Sequence, residues 1–222
     1  MRTRILLAAA AAMTMLTVAA GTATASPSGP AAAAGSGRPD TACTDVRLSG
    51  SLPVPPAGTT ARQDVSVGAD CVPHLGAVRL LPAPAGSAAR TAATGTAAHQ
   101  VRSSSEMYDC CNILMTALYT TTTWDTVDGR VAHAVTGVST HNNREPWDAG
   151  WSVRTVGTTE AAASVTAHAE FGYRGIFDVT GDWYANTHDT TVQLNGDGTA
   201  ACRFDIVLRH TFVGWHAVRT CS

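Results

Sequence analysis

The stretch from Thr199 to His210 alternates more strictly than any other part of this chain, and it follows a turn. Cys202, Phe204, Ile206 and Leu208 fall on one face, and Arg203, Asp205 and Arg209 on the other. A period of two marks a strand with one buried face. Asn195-Gly196-Asp197-Gly198 precedes it, and the β-prone run Tyr184 to Leu194 lies before that. The segment therefore predicts an antiparallel hairpin. If Leu194 pairs with Thr199, His188 falls opposite Asp205.

Other segments repeat the pattern. Val165, Ala167, Ala169 and Phe171 alternate with Thr166, His168 and Glu170. Asp128-Gly129 marks a two-residue hairpin turn, which pairs Val127 with Arg130. That register sets Trp124 opposite His133 and Thr122 opposite Val135, with Trp124, Val131 and Val135 on the core face. Upstream, Val46 with Leu48, Val65 with Val67, and Val78 to Leu81 read as three short strands. Consecutive strands joined by turn-rich connections predict an all-β fold, an antiparallel sandwich or barrel. One segment is ambiguous. Met107, Cys110, Cys111, Leu114, Met115 and Leu118 carry helical spacing, and Ser103 with Glu106 could cap it. A short helix near residues 104–118 and one long buried strand both stay open, the strand preferred because everything downstream reads as β.

The chain has six cysteines, Cys43, Cys71, Cys110, Cys111, Cys202 and Cys221, and all lie downstream of an export signal. Arg2 and Arg4 precede an apolar run, Ile5 to Ala20, and Ala23-Thr24-Ala25 offers a cleavage site. The reading is a secreted, extracellular protein of bacterial type, with no membrane anchor after cleavage and its cysteines in disulfides. Six cysteines allow 15 pairings. Adjacent Cα atoms are about 3.8 Å apart, below the roughly 4.4–6.8 Å of ordinary disulfides, so Cys110 and Cys111 should not bond each other. The preferred arrangement is Cys43–Cys71, with Cys110 and Cys111 each reaching Cys202 or Cys221.

Composition divides the chain into a signal peptide (1–25), a disordered leader (26–42), a small β segment (43–82), a flexible linker (83–102) and a main β domain (103–222). Loss of Arg2 and Arg4 with the signal moves the formal charge from −2 to −4. That argues against nucleic acid as a partner, which calls for a basic face. All 15 basic residues are arginine, so lysine chemistry is excluded.

Three groups of residues are candidate sites. Trp147, Trp151, Trp183, Tyr184 and Trp215 form an aromatic platform for sugar or polymer, or serve as core residues. His168 and Glu170 share a strand face and would supply two ligands to a metal, or a weak surface ion pair; no third ligand is placed by the sequence, so no metal is assigned. His188 opposite Asp205 would orient an imidazole for base catalysis, or form a cross-strand pair. Val72 to Leu75, beside Cys71, is the one loop suited to an inhibitor. The reading that results is an extracellular binding or structural module, with a polysaccharide or protein as partner and no cofactor. An extracellular hydrolase using His and Asp or Glu is the alternative.

Overall fold

The structure is a computed structural model and describes residues 42–83, 98–144, 150–176 and 178–222. The signal, most of the leader, most of the linker, and Trp147 lie outside the described residues. The described residues form no helix. They form β1 (Ala42–Leu52), β2 (Thr59–Val67), β3 (Pro73–Leu75), β4 (Arg79–Pro82), β5 (Ala98–Tyr108), β6 (Leu114–Val127), β7 (Arg130–Asn142), β8 (Gly150–Ala161), β9 (Ser164–Arg174), β10 (Ala185–Leu194), β11 (Ala200–Phe212) and β12 (His216–Cys221).

Two antiparallel sheets face each other. One runs β1-β11-β10-β9-β8, the other β3-β2-β12-β5-β6-β7, with β4 sharing the β2 edge with β3. Segment 43–82 divides between them: β1 pairs with β11, while β2 pairs with β12. Residues 98–102, read as linker, begin β5 and pair with β6. The alternating faces of β9 and β11 point inward, burying Val165, Ala167, Ala169, Phe171, Cys202, Phe204, Ile206 and Leu208.

The core has two apolar halves. One gathers Leu48, Val65, Met107, Leu118, Phe171, Ile206 and Leu208 with the aromatics Trp151, Tyr184 and Trp215. The other gathers Leu52, Val101, Trp124, Leu194 and Phe204 with Cys202 and Cys221. The interior also carries buried polar side chains. Ser105 Oγ lies 2.9 Å from His188 Nδ1, Thr116 Oγ1 lies 3.1 Å from His188 Nε2, and Asn186 donates to Thr116 at 3.1 Å. Arg219, next to Ser105 and Gln63 in the ladder, is fully buried and donates to Gln63 Oε1 at 2.5 Å. Gly50 makes room for it, since a Cβ there would lie 2.8 Å from Arg219 Nη1.

Four expectations change. Residues 107–118 are neither a helix nor one strand but two strand ends and a turn. Asp109 N–H donates to the Ile113 carbonyl, Asn112 N–H donates to the Asp109 carbonyl, and the Asp109 carboxylate accepts from Cys111 and Ile113 N–H, both at 2.8 Å. Helical spacing arose because Met107 on β5, and Met115 and Leu118 on β6, are all buried on either side of that turn. In the β6–β7 hairpin, Val127 does pair with Arg130, but an irregularity between Thr123 and Asp125 sets Thr123 opposite Val135 and Asp125 opposite Ala132. His133 adopts φ 51°, so one extra residue is taken up on β7 and the phase reverses beyond it. Trp124 stays buried, Thr122 faces Thr136, and Val135 is 64% exposed.

The β10–β11 register also slips. Its turn is five residues long, closed by Asn195 N–H to the Thr199 carbonyl at 2.9 Å, so Leu194 pairs with Ala200. His188 then faces Ile206, and Asp189 faces Asp205. A one-residue slip moves every partner to the opposite face.

Finally, Cys43–Cys71 forms as expected, but Cys202 bonds Cys221, with Cα atoms 5.9 Å apart. Cys110 and Cys111 are free and exposed. Distance explains the change. Cys221 pairs with Ser103 on β5, and Cys110 lies beyond the far end of that strand, about 23 Å away at the usual strand rise. The two bridges fit an oxidising compartment.

Candidate functional site: an aromatic pocket at one end of the sandwich

Several turns and strand ends converge beside the first half of the core. The β5–β6 turn brings Asp109, Cys110, Cys111 and Ile113. Trp151 and Tyr173 come from paired positions on β8 and β9, Tyr184 precedes β10, and Phe212 and Trp215 flank the β11–β12 turn. Together with Met115 and Asn143 they line an open cavity of about 380 Å³.

The aromatic rings support one another. Trp151 and Trp215 meet edge to face with centroids 6.3 Å apart, and Trp151 lies 5.6 Å from Tyr173. Tyr184 packs on Trp215 at 5.9 Å and on Phe212 at 5.6 Å. Such tilted arrangements are the favoured ones for aromatic pairs. The rings are held deep in the wall: Trp151 and Trp215 are only 5% and 6% exposed.

Backbone contacts fix the wall. Asp178 is buried, and its carboxylate accepts from Thr180 Oγ1, from Gly181 N–H, from Trp183 N–H at 2.6 Å and from Tyr184 N–H at 3.0 Å. Burial pushes this carboxyl up, but those hydrogen bonds outweigh it and hold the group below the usual carboxylate range. The β11–β12 turn needs Gly214, whose φ is 91° and whose Cβ position would lie 3.3 Å from Cys110 Cβ. Trp215 N–H donates to the Phe212 carbonyl, and Val67 N–H to the Trp215 carbonyl at 3.0 Å. Asn142 Nδ2 donates to the Trp151 carbonyl at 2.7 Å, which ties β8 to the end of β7.

The sequence candidates separate. Trp151, Tyr184 and Trp215 come together in this pocket. Trp183 turns aside and stacks on His210, with ring centroids 3.6 Å apart. His188 is buried between the sheets, while Asp205 lies on the outer face, accepting from Arg47 Nη1 at 2.6 Å and Ser49 Oγ at 2.7 Å. Burial pushes the His188 pKa down to about 3, so its ring is neutral. His168 and Glu170 do lie on one outer face, each with its own partner. His168 Nδ1 is 2.8 Å from Asp189 Oδ1 and its Nε2 is 3.4 Å from Thr155 Oγ1, while Glu170 sits 3.5 Å from Arg154. Among the described residues no three His, Cys, Asp or Glu side chains cluster as a metal site would need. Val72 and Leu75 are exposed beside the Cys43–Cys71 bridge.

Tyr173 and Phe212 were not singled out from the sequence. Tyr173 continues the inward alternation of Phe171, which was a usable signal. Nothing in the sequence brings the 109–113 turn beside Trp215. No protein-family model matches this chain, and no curated protein and no solved structure matches it.

Proposed function

We propose that this protein is an exported binding module that takes a small, flat, largely apolar group into the aromatic pocket. The single observation behind this reading is a cavity of about 380 Å³ whose wall is Ile113, Met115, Trp151, Tyr173, Tyr184, Phe212 and Trp215. Ligand sites are typically concave and apolar, with a few polar groups at the edge to set orientation. Asp109 and Asn143 fill that edge role here. The pocket suits a terminal group, such as an aromatic ring or the C–H face of one sugar at the end of a polysaccharide or on a protein. A flat row for a polymer chain is less well supported, because Trp151 and Trp215 are buried and Trp183 is stacked away from them. The export leader and the two bridges support action outside the cell.

Ligand-observed NMR with a panel of small aromatic, alkyl and sugar compounds tests the reading. Ile113 is 49% exposed at the rim, so Ile113→Arg blocks entry without disturbing the core. Hits from the aromatic or sugar-bearing compounds should bind wild type and lose at least tenfold in affinity with the variant. Equal binding to both would refute the assignment.

One observation favours a second reading, the hydrolase. Thr155, His168 and Asp189 form a hydroxyl–imidazole–carboxylate chain on the outer sheet face. Such chains serve nucleophilic catalysis when donors for an oxyanion stand nearby. Here His168 and Asp189 lie on the inner strands β9 and β10, whose N–H groups point into the ladder, and only Thr155 lies on an edge strand, β8. Ester hydrolysis abolished by His168→Ala would move the assignment to this face.

A further inference from the structure

The rim of the pocket carries chemistry that ligand binding does not use. Cys110 and Cys111 are both exposed, and their sulfurs lie 3.8 Å apart in hydrogen-bond contact. The turn around them is preset. The Asp109 carboxylate holds the Cys111 and Ile113 amides, Asn112 takes φ 63°, and Cys110 backs onto Gly214. The other four cysteines are already paired, so this pair has no further partner in the chain.

We propose that Cys110 and Cys111 are a redox-active dithiol that exchanges with small-molecule disulfides, aromatic ones in particular, and closes to a bond between the two adjacent residues. Cys111 S–H donates to the Cys110 sulfur, and that bond together with the charge on the Cys110 sulfur raises the Cys111 pKa, so Cys110 is the sulfur that attacks first. The Cys110 thiolate bonds one sulfur of the incoming disulfide and expels the other as a thiolate, which takes up the proton released by Cys110. Cys111 then loses its proton and bonds the Cys110 sulfur, expelling the second thiolate, which takes that proton. Two protein thiols are oxidised and one disulfide is reduced to two thiols.

The closed form is easily opened again. Adjacent Cα atoms exclude an ordinary disulfide, as the sequence implied, but with both thiols free and only 3.8 Å apart a constrained one can close when the sulfurs move to about 2.05 Å, and such constrained, exposed bridges are the reducible ones. The bridges Cys43–Cys71 and Cys202–Cys221 have one or both sulfurs in the buried core and should survive the same mild reductant. An aromatic disulfide is the apt reactant because the rim opens onto Trp151, Tyr184 and Trp215. The exchange does not require the pocket to have a natural ligand, so failure of either idea leaves the other standing.

The test uses the full mature protein and 5,5′-dithiobis(2-nitrobenzoate). Peptide mapping of the protein as purified comes first; a linked Cys110–Cys111 peptide at that stage supports the proposal directly. After mild reduction, one equivalent of the reagent should release two aryl thiolates per protein and leave no aryl group attached. Cys111→Ser should release one and retain one, on Cys110, and Cys110→Ser should react more slowly. A wild-type protein that retains an aryl adduct, fails to react, or shows Cys110 or Cys111 bonded to Cys202 or Cys221 overturns the proposal.

Discussion

Burial of His188 between the sheets makes the stability of this protein depend on pH. Its ring nitrogens sit 2.9 Å from Ser105 Oγ and 3.1 Å from Thr116 Oγ1. Burial lowers the pKa from 6.5 to about 3, and the interaction with Ser105 offsets this only in part. The folded protein therefore holds a neutral imidazole, while the unfolded chain takes up a proton as pH falls below about 6.5. The contribution is complete above the unfolded pKa and is lost as pH falls toward the folded one. Each pH unit within that window is worth about 1.4 kcal/mol, so going from pH 7.5 to pH 4.5 should cost about 2.6 kcal/mol through this group alone. His188→Gln keeps a donor and an acceptor for the two hydroxyls but cannot titrate. Urea unfolding of both proteins at both pH values isolates the effect, because carboxylates and the other histidines cancel in the difference. The variant should lose about 2–3 kcal/mol less than wild type on acidification. Equal losses, or an NMR titration of the His188 ring with a midpoint near 6.5, would refute the buried, neutral imidazole.

Four further outcomes follow from the packing. Replacing Cys202 and Cys221 together by alanine opens a closure of 19 residues, and should cost about 3 kcal/mol and roughly 6–12 °C in thermal midpoint, read by calorimetry. Gly50→Val should cost about 2–3 kcal/mol in denaturant unfolding, because its Cβ meets the buried Arg219 guanidinium, and Arg219→Met in the same chain should recover most of that loss. Arg219→Met alone should be close to neutral or stabilising, since the Nε and Nη1 groups of this arginine have no hydrogen-bond partner among the described residues. Asp178→Ala should cost about 2–3 kcal/mol, because it frees the Trp183 and Tyr184 amides, and should weaken any ligand of the aromatic pocket in parallel, as measured by titration.

Local periodicity carried the strands and their inward faces. β9 and β11 were legible because a half-buried strand must alternate, and the turns at Asp128-Gly129 and Asn195 to Gly198 because few residues tolerate such backbones. What local pattern could not carry was phase. One residue at positive φ, His133, reversed the inward face of β7, and one extra loop residue moved His188 from an exposed pair with Asp205 into the core. The β5–β6 turn hid behind helical spacing because two strands packing on one core leave apolar residues at similar intervals. Cysteine pairing depended on strand order, which sets Cys202 facing Cys221 across the sheets and leaves Cys110 and Cys111 at the other end. Three of the pocket's rings were among the aromatic candidates, yet their convergence was not legible, since β8, β10 and the β11–β12 turn meet only through the two-sheet arrangement.

A crystal structure of the protein with the tightest-binding compound from the ligand screen tests the central claim most directly. The account places the compound between the Ile113 rim and the rings of Trp151, Tyr184 and Trp215, with its polar group toward Asp109 or Asn143. A compound bound instead on the outer face beside His168 and Asp189, with the aromatic pocket empty, would contradict it.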